Sequence, residues 1–190
     1  AVQDLVLRRV HLIKGPATNF RVTGSTRVLL EDCESEQGPQ SGGTFGQTSY
    51  LTIRGGRVHH NRTSAAYDPF WEGGGYKFGN HTRDTIVEDL ECDYNAGVGI
   101  WGDIAADNMI VRRCQVHHND LSGIMHEIST DGVIEDNVLS HNGEKDGRGW
   151  GWPAQILVSS SAGPIEVRRN QMADSLKGIS INAQNRGADS

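Results

Sequence analysis

Apolar residues return along this chain at a fixed interval. With each repeat anchored on the apolar residue that stands eight positions before an Asn or Gly corner, or before Ser175 in the last, the anchors are Leu7, Leu30, Ile53, Val87, Val111, Ile134 and Val167, spaced 23, 23, 34, 24, 23 and 33 residues apart. Further inward columns follow from the same ruler: Leu12, Val58, Cys92, Val116, Leu139 and Met172 form one, Val10, Cys33, Leu90, Cys114, Asn137 and Asn170 a second, and Phe20, Tyr76, Ile100, Ile124, Ile156 and Ile179 a third. Within a repeat the apolar runs are short and alternate with polar positions, the period of strands and not of helices. Repeats of this length, each with two or three short strands, predict an all-β fold: a parallel β-helix of about seven coils in which every strand pairs with its equivalent one coil away. Parallel crossovers are right-handed in nearly all cases, so the predicted solenoid is right-handed.

The two long spacings place insertions of about ten residues in two coils, from about Arg62 to Gly74 and from Gly143 to Pro153. Between them the pattern is at its clearest, because Gly99-Ile100-Trp101-Gly102-Asp103 is echoed by Gly123-Ile124-Met125-His126-Glu127, an offset of 24 residues (127 minus 103). The corner position holds Asn61, Asn95, Asn119 and Asn142, and an Asn column suits both a left-handed bend and amide stacking from coil to coil.

Composition supports a thin, elongated core: only 36% of residues are hydrophobic and 24 are glycine. A formal charge of -6 argues against a nucleic-acid-tracking surface, and no apolar run approaches a membrane span. Three cysteines in inward columns read as free core thiols. One β-helix domain over 1–190 accounts for the chain, which is either whole or a piece of a longer one.

The repeat and its Asn corners resemble the right-handed parallel β-helix proteins of the pectin-lyase-like superfamily. The resemblance implies that fold over nearly the whole chain, a bias toward polysaccharide chemistry and a secreted, extracellular setting. No polygalacturonase or pectate lyase motif is present, so it carries over no catalytic residue.

The candidate chemistry comes from alternation. With Ile100 and Ile124 pointing in, Trp101 and Met125 point out, Gly102 and His126 in, and Asp103 and Glu127 out again. Two carboxylates one coil apart on an exposed sheet face repel each other, the arrangement by which paired carboxylates are divided into acid and base. Lys77 aligns with Trp101 one coil earlier as a neighbouring cation. His126 is expected to lie inward beside Gly102, although a bulge would turn it out as a further titrating group. The insertions, with Tyr67, Asp68, Phe70, Trp71 and Glu72 in one and Glu144, Asp146, Arg148, Trp150 and Trp152 in the other, are expected to wall this floor on both sides as aromatic sugar-binding surfaces. The paired His59-His60, His117-His118 and lone His141 share one corner register, which favours a structural place over a metal site.

The expected site therefore has Asp103 and Glu127 as acid and base, or Lys77 or His126 as base in a lyase, with Trp101, Met125, Tyr67, Trp71, Trp150, Trp152 and Arg148 contacting a poly- or oligosaccharide. Two other readings stand beside this enzyme: a non-catalytic glycan-binding or structural β-helix of tail-spike or adhesin type, and a calcium site on Asp103 and Glu127. The cofactor expectation is accordingly none, or calcium.

Overall fold

The computed structural model describes residues 1–145 and 151–183. Their strands form three seven-stranded parallel sheets, with no helix among the described residues. The first sheet runs from Gln3–Arg8 to Ala162–Arg168, the second is built of three-residue strands from His11–Ile13 to Gln171–Ala173, and the third runs from Thr18–Thr23 to Ile179–Asn182. Each coil contributes one strand to each sheet, giving the right-handed parallel β-helix that the period predicts.

The seven anchors are register partners in unbroken succession, Leu7 to Leu30 to Ile53 to Val87 to Val111 to Ile134 to Val167. Two columns pass through positions that hydrophobicity does not mark. Ser35 stands between Leu12 and Val58 and hands its hydroxyl hydrogen to the Gly42 carbonyl at 2.8 Å. Gly43 stands between Phe20 and Tyr76, and a Cβ there would come within 3.0 Å of the Tyr76 ring. Both gaps thus serve packing: one satisfies itself, the other yields its space.

The Asn corners are an inward ladder. Asn61 donates to Asn95, Asn95 to Asn119 and Asn119 to Asn142, each at 2.9 Å, and Asn142 donates to Gln155 at 2.5 Å. The left-handed bend expected at the Asn lies one residue earlier, at His60, Tyr94, His118 and His141, with φ of 50 to 54°. That shift has a physical reason, since the bend turns the Asn side chain into the coil, where it hydrogen-bonds neighbouring backbone instead of its own. The outward rings stack on one another, His60 on Tyr94, Tyr94 on His118 and His118 on His141, at 4.6 to 5.2 Å between centroids.

A further row escaped the hydrophobic pattern. Arg8, Glu31, Arg54, Glu88, Arg112, Glu135 and Arg168 are register partners on the outer face of the first sheet, alternating in charge along the whole solenoid. Cys33, Cys92 and Cys114 are buried free thiols, and burial pushes the Cys114 thiol up to about 12.

Candidate functional site

Two register rows make the outer face of the third sheet. Arg21, Thr44, Lys77, Trp101, Met125 and Leu157 form one. Thr23, Gly46 and Gly79 form the start of the other, which continues through Asp103, Glu127 and Ser159. A groove of about 1020 Å³ lies over them, lined among others by Arg21, Thr23, Thr44, Lys77, Trp101, Asp103 and Glu127, and walled by Phe70, Trp71 and Glu72 of the first insertion and by Trp152 of the second. Asp103 and Glu127 are adjacent in register, as the 24-residue offset requires.

The face is not open to solvent as alternation alone suggested. Asp103 is 5% and Glu127 4% exposed, and Trp101 and Met125 are equally buried. Alternation decides which side of the strand a residue takes, but the insertions fold down onto that side. Met125 is consequently absent from the groove lining and packs with Val98, Trp101, Leu121 and Leu157 under Trp152. Tyr67 is also displaced from the groove: its segment turns back on the insertion, where Arg62 Nε donates to the Tyr67 carbonyl at 2.9 Å. Arg148 and Trp150 lie outside the described residues.

Lys77 answers the charge of Asp103. Its Nζ lies 2.8 Å from Asp103 Oδ2 and 3.7 Å from the centroid of the Trp101 ring, and it donates to the Trp71 carbonyl. Ion pair, ring face and carbonyl together fix the Lys77 side chain across the floor. The other carboxylate oxygen, Asp103 Oδ1, is buried with no hydrogen-bond partner among the described residues, and so is Trp101 Nε1. Two unsatisfied polar atoms on residues that line one groove are costly to keep without a ligand.

His126 faces the coil interior. It is 3% exposed, its Nδ1 pairs with the Ser161 hydroxyl at 2.9 Å, and its Nε2 would meet a Cβ on Gly132 at 3.0 Å. Burial lowers its pKa, with the Asp131 backbone, Asp107 and Asp131 opposing. The bulge that would turn it outward does not form, so His126 is separated from the groove by its own strand. A calcium ion fits the pair poorly, because the Lys77 ammonium already holds Asp103 Oδ2. Arg21, Thr44, Gln40, Asn80 and His81 line the groove without having been singled out in the sequence. Arg21 and Thr44 were within reach, since each follows an inward column position by one residue, as Lys77 and Trp101 do.

No curated protein sequence matches the chain. Among solved structures, PfbA, a surface adhesin of Streptococcus pneumoniae, superposes with a TM-score of 0.71 at 14% identity, over 99% of this chain and 49% of that one. The A-module of the Azotobacter vinelandii mannuronan C-5 epimerase AlgE6 gives 0.59 at 11% identity, over 96% and 57%. The pectate lyase Pel9A gives 0.50 at 14%, over 85% and 51%. The chain spans about half the length of each, and at these identities the likeness is one of fold. The family profile described as the right handed beta helix region matches residues 2–186, and the chain belongs to that right-handed β-helix family.

Proposed function

We propose that the groove binds a polysaccharide and cleaves it by hydrolysis, with Asp103 as nucleophile and Glu127 as general acid and base. The observation that carries this reading is the division of labour on one carboxylate: Lys77 pins Oδ2 at 2.8 Å while Oδ1, on a groove residue, has no partner. A carboxylate oriented through one oxygen and unpartnered at the other suits attack on an anomeric carbon once binding shifts the cover from the buried Oδ1. Adjacent parallel strands set the two acids roughly 5 Å apart at the backbone, which suits a retaining hydrolase if the carboxyl groups keep that spacing. Elimination is less well served, since the Lys77 amine is tied to Asp103 and the Trp71 carbonyl and His126 is enclosed in the coil. Phe70, Trp71 and Trp152 supply faces for the C–H sides of sugar rings. A glycan outside the cell is the substrate class that fits this furniture, and surface and secreted settings go with it.

The test is turnover of a panel of linear polysaccharides by the purified chain. Asp103→Asn and Glu127→Gln should each lower turnover by about 10²-fold or more while leaving glycan binding measurable. Binding without products by the native chain would instead support a non-catalytic glycan-binding role, for which the aromatic walls serve equally well. Neither binding nor turnover of any polymer would remove the reading.

A further inference from the structure

The acid pair does not sit in the middle of its groove. Going from Asp103 toward the first coils, the floor row passes over Gly79 and Gly46, which bring only backbone, and reaches the exposed Thr23. That is three strand steps, or about 14 Å of open floor. Going the other way, the residue after Glu127 in the row is Ser159, which is fully buried, as is Leu157 in the neighbouring row.

What covers them is the end of the second insertion, fastened from several sides. Ser180 Oγ and Asn182 Nδ2 donate to the Gly151 carbonyl at 2.8 and 3.3 Å, and Lys177 Nζ donates to the Trp152 carbonyl at 3.0 Å. The Trp152 side chain packs on the apolar cluster of Trp101, Met125 and Leu157 while also lining the groove. The groove is therefore open along one side of the acid pair and stopped on the other.

We infer that the site takes the end of a glycan chain and not its interior, releasing a short terminal piece; the inference rests on the hydrolytic reading above. A linear chain lying over Gly46 and Gly79 can bring a bond to Asp103 and Glu127 only if little of it extends beyond, because Gly151 and Trp152 occupy the next position. Thr23, Thr44 and Arg21 offer hydroxyl and cationic partners along the open side, so affinity is spent on the sugars that stay with the chain.

The experiment incubates the native chain with alginate, polygalacturonate, xylan and hyaluronan, and follows viscosity against the number of bonds cleaved. The expected result is accumulation of one small product class from the start with almost no loss of viscosity. An early, steep loss of viscosity together with a ladder of products would overturn chain-end action and leave the hydrolase standing. If a polymer is bound but not cleaved, oligosaccharides of it are tethered to a surface through either terminus. Binding in only one orientation supports the stopped groove, and equal binding in both overturns it. No binding and no cleavage of any polymer overturns this inference along with the function on which it rests.

Discussion

At the scale of single residues, two buried carboxylates are held by cations in opposite spirit. Glu88 is 4% exposed and meets Arg54, Arg112 and Arg113 at 2.8, 2.6 and 2.9 Å. Burial pushes its pKa up, but the three arginine hydrogen bonds outweigh that and hold it at about 2. A carboxyl whose folded value lies below its unfolded value of about 4.5 adds stability above that pH and loses it as pH falls toward 2. Glu88→Gln should therefore cost about 3 kcal/mol at neutral pH, read as a melting temperature lower by about 6–12 °C. The gap between variant and native chain should shrink on acidification below pH 4.5, and a gap that stays constant would deny Glu88 its ion pairs. Asp103, by contrast, has one oxygen paired and one idle. Two crowded like charges alone would leave the stability of Asp103→Asn unchanged or raised. The Lys77 contact reverses the sign: the variant strands the ammonium and should lose about 2 kcal/mol, measured by urea unfolding, with Lys77→Met in the same background restoring part of it.

At the scale of elements, what the sequence disclosed was the period and the side, and what it withheld was the cover. Leu7 to Val167 align as read because a one-residue slip would turn every apolar side chain outward. The charged row from Arg8 to Arg168 obeys the same register, yet alternating Arg and Glu look like ordinary surface until the strands are stacked. Asp103 and Glu127 were placed on the correct side and in the correct register, but alternation carries no information about a loop that folds back from elsewhere. The burial of Met125 and the displacement of Tyr67 come from that loop packing. The Asn ladder shows how unevenly a corner divides its energy. Asn119 Nδ2 donates to Asn142 and to the Cys92 carbonyl, and Asn119 Oδ1 accepts from the Asn95 side chain and backbone. Asn119→Ala leaves buried donors and acceptors without partners and should cost about 3 kcal/mol. In the stack of outer rings one coil earlier, Tyr94 is 46% exposed, and Tyr94→Ala should cost about 1 kcal/mol. Equal losses in thermal unfolding of the two variants would mean that the ladder is not what holds the corner.

At the scale of the whole molecule, the columns and the charged row have different periods, and the difference can be measured. Apolar columns repeat every coil, and so do the Asn corners from Asn61 to Asn142, so both accept the addition of any whole number of coils there. The charged row repeats every second coil, because Arg and Glu alternate from Arg8 to Arg168. Duplicating residues 87–133 in place inserts two coils, and the row then reads Arg54, Glu88, Arg112, Glu88, Arg112, Glu135, with every neighbour opposite in sign. Duplicating residues 87–110 inserts one coil and sets a second Glu88 beside the first, two carboxylates in one buried environment with fewer arginines between them. The core of either variant is equally continuous, since Val87 follows Ile110 or Val133 at the position that Val111 or Ile134 held. In a nearest-neighbour solenoid each added coil contributes its own interfaces, so the two-coil variant should unfold in urea with a larger m-value and a midpoint at or above that of the native chain. The one-coil variant should show an intermediate m-value but a lower midpoint, by an amount that shrinks when the pH is taken below about 4 and one Glu88 of the crowded pair accepts a proton. If the one-coil variant is as stable as the two-coil variant at neutral pH, the alternating row decorates the first sheet without setting which coils it accepts.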